Sequence, residues 1–158
     1  MIWVVRKKFI LGKMCMNKVL IDSNILIYAH DSSSPYHEKA YGCIQNLVGQ
    51  HSACFSMQNY LESYCIWTQK LPKPIFSTDA WKIIEYYLRH PLVQTLFPNE
   101  EILEETRKLS ITYNKIGVQI FDVQLVATMY VCGISSLYTA STKDFEMFES
   151  FTIINPLS

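Results

Sequence analysis

The chain has no excess of either charge: 14 Lys and Arg face 14 Asp and Glu over 158 residues. A broad basic field that would hold a polyanion is therefore excluded, and any contact with nucleic acid has to be local. There is no CxxC pair either. The five cysteines, Cys15, Cys43, Cys54, Cys65 and Cys132, are odd in number and scattered, which speaks against a secreted disulfide framework and fits a reducing cytosol. The histidines, His30, His37, His51 and His90, show no ligand spacing and are expected at the surface or at caps. Long apolar runs are missing too. The run at residues 9–11, behind Arg6, Lys7 and Lys8, is too short to cross a bilayer and has neither the apolar length nor the small-residue cleavage site of a signal peptide. Residues 1–15 are expected to be a dispensable extension with Met16 as an alternative start, a reading that insolubility of the chain truncated to Met16 would overturn. Repeats and low-complexity segments are absent, and residues 16–158 are expected to form one domain.

Present in their place is an apolar chain, 49% hydrophobic and 13% aromatic with only 18% charged residues. It can build a full core, with apolar surface left over for a partner. Short apolar runs at residues 18–21, 53–55, 93–96, 137–139 and 152–154 read as strands. Between them lie helical stretches. Residues 25–29 form one; a second starts at Ser34 and Pro35 and runs through Ala40, Ile44 and Leu47 to Gly49. Ser56 caps a third, with Met57, Leu61, Tyr64, Cys65 and Thr68 on one stripe, ended by Leu71-Pro72-Lys73-Pro74. Residues 78–89 make a fourth, Asn99 caps a fifth that opens with Glu100 and Glu101, and Phe121, Leu125, Thr128, Met129 and Cys132 mark a sixth, stopped by Gly133. Strands alternating with helices call for a mainly parallel sheet covered on both faces.

In such a sheet, ligands bind beyond the carboxyl ends of the strands. Asp22 stands at such an end, and Asp144 follows the strand at 137–139, so the two acids share a rim if those strands are neighbours. Glu62 and Asp122 fall at the edges of their helical stripes and can join them. Two like charges about 4 Å apart repel by about 4 kcal/mol at an effective dielectric of 20. A divalent cation removes that cost, and an all-oxygen donor set favours magnesium or manganese over zinc.

The segment Val19-Leu-Ile-Asp22-Ser-Asn24-Ile-Leu-Ile-Tyr28-Ala29 resembles the opening of PIN domains, including VapC-type toxins. The resemblance continues through Pro35-Tyr-His37 with Ala40, Ser56-Met-Gln58-Asn59-Tyr-Leu-Glu62, Phe121-Asp122-Val-Gln-Leu-Val-Ala127, Tyr138-Thr139-Ala-Ser141-Thr-Lys-Asp144-Phe145 and Ile153-Ile-Asn-Pro156. It covers residues 17–156. It implies a three-layer α/β/α sandwich and a metal-dependent ribonuclease that cuts single-stranded RNA with activated water, leaving a 5′ phosphate and a 3′ hydroxyl. It further implies that Asp22, Glu62 and Asp122 hold Mg2+ or Mn2+, with Asp144 completing the site directly or through water and Asn24 orienting Asp22. It leaves room for a second cation and, for a VapC-type toxin, implies a small antitoxin partner and commonly a homodimer; the cytoplasmic setting without a membrane rests on the cysteines and the short apolar runs. Many relatives carry Asn or Asp where this chain has Ser141, so the fourth ligand rests on Asp144 alone.

Each residue has an ordinary structural reading as well. Asp22 can cap a helix, Glu62 can be solvated, Asp122 can offset a helix dipole, and Asp144 can cap a short helix through Phe148. Thr139 and Ser141 are turn residues or hydrogen-bond partners of a metal ligand or phosphate. Lys70, Lys73, Lys115 and Lys143 are solvated or touch an RNA backbone. Tyr60, Tyr64, Trp67 and Trp81 read as core rather than base-stacking platforms. Two rival functions remain open: a PIN scaffold that binds protein or RNA without cutting, and a haloacid-dehalogenase-like phosphatase. The second shares only residues 22–24 and lacks both the following Gly-Thr and a late double aspartate.

Overall fold

In the computed structural model, residues 17–158 are described; the expected extension, the alternative start at Met16 and Cys15 lie outside the described residues. Val19–Ile21 (β1), Ala53–Ser56 (β2), Gln94–Leu96 (β3), Ser136–Tyr138 (β4) and Thr152–Ile154 (β5) form one sheet in the order β3-β2-β1-β4-β5, every neighbouring pair parallel. The helices are Ser23–Ala29 (α1), His37–Gly49 (α2), Met57–Cys65 (α3), Ser77–Arg89 (α4), Glu100–Thr112 (α5) and Ile120–Cys132 (α6). Alternate strand residues divide the interior. Val19, Ile21, Ala53 and Phe55 pack with Ile25, Ile44, Trp67 and Tyr87 from α1 to α4 and the turn after α3. Leu20, Cys54, Leu96 and Leu137 pack with Ile102, Leu109 and Val126 from α5 and α6. The three-layer α/β/α sandwich expected from the sequence is the observed architecture, and its sheet is wholly parallel.

The connections step outward from β1 to β2 to β3 and then cross to the other flank at β4. The reversal leaves a crevice between the carboxyl ends of β1 and β4, the position where open parallel sheets bind ligands. Val19, Leu20 and Ile21 lie beside Ser136, Leu137 and Tyr138 in register, which sets Asp22 level with Thr139 at the rim.

Several local expectations change. Helix α2 begins at His37, not at Ser34 and Pro35, because Ser33 donates to Asp31 Oδ1 and Tyr36 N donates to Ser34 Oγ, closing a turn first. The stripe Met57, Leu61, Tyr64, Cys65 and Thr68 is not the buried face of its helix; α3 buries Asn59, Tyr60 and Ser63. The cause is the capping box, in which Ser56 N and Oγ donate to Asn59 Oδ1 and Asn59 N donates to Ser56 Oγ, turning a polar residue inward with its carbonyl oxygen satisfied. After Cys65 the helix widens into a π-helical turn, Ile66–Lys70, that buries Trp67 completely. Tyr60 is core as expected, whereas Trp81 is exposed. His30 is the C-cap of α1, as a capping histidine was expected to be, and its ring packs edge-on against Tyr41, Trp67 and Tyr87, with Nε2 2.8 Å from the Tyr87 hydroxyl; burial pushes its pKa down to about 4.

Candidate active site

Asp22 follows β1 directly and caps α1, since Ser23 N donates to its Oδ1 at 2.7 Å. Its other oxygen is held from the far side of the crevice. Thr139, the residue after β4, donates its hydroxyl to Asp22 Oδ2 at 2.7 Å, and Asn24 Nδ2 reaches the same oxygen at 3.2 Å. Asn24 also reaches Thr139 Oγ1 at 3.2 Å and Ser141 Oγ at 3.3 Å, and its Oδ1 accepts from Ala140 N at 3.1 Å. Ser141 N donates to Thr139 Oγ1 at 3.0 Å. Asn24, Thr139 and Ser141, all named from the sequence, therefore form one network that fixes the Asp22 carboxylate. Burial raises the Asp22 pKa and nearby Glu62 adds to the rise, while the bonds from Thr139 and Ser23 oppose it.

Glu62 is not a solvated helix glutamate. Ser23 Oγ donates to its Oε2 at 2.6 Å and Gln58 Nε2 to its Oε1 at 2.7 Å. Ser23 Oγ also lies 3.3 Å from Asp22 Oδ1, but a hydroxyl has one proton, and the shorter contact takes it. Asp22 Oδ1 consequently accepts only from Ser23 N among the described residues. Ser23 and Gln58 were not singled out from the sequence. Only the i, i+4 spacing of Gln58 and Glu62 on one helix face carried a signal for either.

Asp122 lies in the first turn of α6, half-buried. Burial, then the charges of Asp144, Asp22 and Glu62, lift its pKa to about 6, with Lys115 pulling the other way. Asp144 is exposed at the end of the 3-10 turn Thr142–Asp144; no helix continues from it to Phe148. Four acids from separate segments thus share one electrostatic neighbourhood. Among the described residues, however, no three His, Cys, Asp or Glu side chains are gathered closely enough to hold an ion as they stand. The inner pair is tied to protein donors, and mutual repulsion opposes closer approach of the outer pair. The donor chemistry, all carboxylate and hydroxyl oxygen, fits a hard divalent cation.

Of the four lysines, Lys115 acts on Asp122 and Lys70 lines a recess next to Glu62; Lys73 and Lys143 are exposed.

Residues 19–147 match the PIN domain family model, and the chain belongs to the PIN domain family. Its fold is similar to that of the Sarcin-Ricin loop cleaving toxin VapC20 of Mycobacterium tuberculosis, at TM-score 0.64 and 12% identity over 82% of this chain and 95% of that one. A toxin-antitoxin complex from Klebsiella pneumoniae matches at TM-score 0.59 and 17% identity, over 88% and 98% of the two chains. FitAcB from Neisseria gonorrhoeae matches at 0.58 and 17%, over 87% and 97%. Comparison with curated proteins returns no match.

Proposed function

We propose that this chain is a divalent-cation-dependent ribonuclease that cuts single-stranded RNA and serves as the toxin of a toxin-antitoxin pair. What supports this reading is that Asp22, locked by Thr139 and Asn24 at the β1–β4 crevice, shares Ser23 with Glu62 and lies within electrostatic reach of Asp122, which Asp144 also influences. Asp22, Glu62 and Asp122 would hold Mg2+ or Mn2+, and Asp144 would complete the site. When bound, the cation supplies positive charge that neutralises the clustered carboxylates and the phosphate, and it acidifies water. The residues of the chain orient the donors: Thr139 and Asn24 fix one oxygen of Asp22, and Ser23 and Gln58 fix both oxygens of Glu62. The pKa of Asp122 is raised first by burial and then by the charges of Asp144, Asp22 and Glu62, and a cation would relieve that repulsion.

The neighbours in fold support a small antitoxin as partner. Exposed Leu103 and Ile111 on α5, with Ile116 and Val118 beyond it, offer an apolar face for a second copy, which sedimentation would detect as a dimer. Residues 16–158 are taken as the nuclease domain.

The decisive experiment incubates the purified full chain with single-stranded RNA, with and without manganese. Cleavage that EDTA and Asp22→Asn both abolish supports the reading; cleavage indifferent to both overturns it. Magnesium is also expected to raise the melting temperature, because an ion that binds only the folded acids stabilises by mass action, by about 2.7 kcal/mol at a hundred times its Kd. The absence of a gathered three-acid group among the described residues favours the non-cutting scaffold, for which neither cleavage nor a metal-dependent shift is expected. The phosphatase reading loses its remaining footing, because Asn24, where its second acid would stand, is occupied as a brace between Asp22 and residues 139–141.

A further inference from the structure

Two recesses flank the acid site, and they meet at Phe121. The first, about 550 Å³, is lined by Ser23, Ile27, Leu61, Glu62, Ile66 and Lys70; the second, about 530 Å³, by Asn99, Glu100, Ile102, Leu103, Thr106 and Ile120. Phe121 and Gln124 belong to both. Phe121 is 49% exposed although Val123, Leu125 and Val126 just after it are buried, so the ring stands on the ridge between the recesses instead of in the core where the helical stripe predicts it. Its backbone is anchored to the site: Gln58 Nε2 donates to Phe121 O at 2.9 Å and to Glu62 at 2.7 Å. The next residue is Asp122.

Resting on the ribonuclease reading, we propose that this trough is the track for unpaired nucleotides of the RNA and that Phe121 is the platform on which the base beside the cut phosphate stacks. A phosphate placed on the acids must carry its two nucleosides onto the adjoining surface, and there the protein presents an exposed aromatic face between two hollows. Base–aromatic stacking tolerates any base but needs one freed from a duplex. Charge selects a polyanion over an apolar peptide: Lys70 stands in the first recess, Lys115 lies within reach of Asp122, and neither forms a salt bridge among the described residues. Two cations near an acid cluster suit a strand whose central phosphate sits on the acids and whose neighbouring phosphates need partners. Gln58 Oε1, buried on the wall of the first recess without a hydrogen-bond partner among the described residues, is an acceptor that folding leaves unmatched.

The test uses the full chain and an RNA oligonucleotide whose cut position has been mapped, intact or with an abasic ribose on either side of that position. Wild type is expected to lose about ten-fold or more in kcat/KM on one abasic substrate, in line with the loss of one stacked base. Phe121→Ala should lose about as much on intact RNA and nothing further on the abasic one, whereas Phe121→Trp should keep wild-type behaviour. Lys70→Gln and Lys115→Gln should each lower the salt slope of RNA binding by about one. If Phe121→Ala, folded by circular dichroism, cuts both substrates as wild type does, the proposal fails while the ribonuclease reading stands. It fails equally if the substitution abolishes binding of a protein partner but leaves RNA kinetics unchanged. A wild-type chain that cuts no RNA removes both.

Discussion

The inner and outer halves of the acid cluster are built differently. Asp22 and Glu62 accept hydrogen bonds from Ser23, Asn24, Gln58 and Thr139, whereas neither Asp122 nor Asp144 accepts a side-chain hydrogen bond among the described residues. The inner pair is positioned before any ligand arrives, and preorganisation of that kind lowers the cost of binding. The outer pair lacks such donors among the described residues, and its carboxylates repel one another. One half of the site is braced; the other is not.

The sharpest break in this comparison comes from Asp22→Asn. It preserves shape and removes the best-positioned charge, and cleavage should fall on the order of 10²- to 10³-fold, as when a charge-stabilising group is lost. Single-turnover rates at saturating manganese would measure it, and a loss below ten-fold would mean that the inner acid is not central. Thr139→Val comes next. It deletes the 2.7 Å donor to Asp22 while keeping the ligand, so metal affinity should weaken about 10- to 100-fold, read by calorimetry. Equal affinity in wild type and variant would deny that the scaffold tunes the site.

Acidity probes the outer half. The folded pKa of Asp122 is raised to about 6 from an ordinary 3.8, so in metal-free protein its contribution to stability is present at low pH and lost as pH rises through 6. Metal binding needs the anion and runs the opposite way: affinity should drop about ten-fold per pH unit below 6. A flat affinity profile between pH 5 and 7 would contradict it. The smallest effect is expected from Asp144→Asn, which takes away a neighbouring negative charge and should let the Asp122 pKa move down toward the usual carboxylate range, visible by NMR titration of the side-chain carbonyl carbon. An unchanged value would show that burial, not the neighbouring charge, sets it.

The division between halves also tracks what could be read from the sequence. Strand positions and the layered architecture were legible because buried parallel strands are short unbroken apolar runs, as at residues 19–21. Asp22 was legible because it interrupts such a run at its end, and Asn24 and Thr139 through the resemblance. Ser23 and Gln58 were not, because a serine beside an aspartate or a glutamine on a helix is ordinary until the fold shows what it faces. Periodicity misassigned Leu61 and Phe121 to the core: it detects apolar residues on one side of a helix, and cannot tell a side that packs inward from one that lines an open trough. On α3 that ambiguity was resolved by Asn59, whose capping bonds let a polar residue be the buried one.

The hydroxyl that secures Asp22 comes from a residue 117 positions later, just past β4. During synthesis, then, a chain released only as far as its fifth helix carries Asp22, Glu62 and the local donors Ser23 and Asn24 but lacks the shortest side-chain bond that holds the first acid. The bracing of Asp22 is therefore complete only once residues 139–141 have joined the fold.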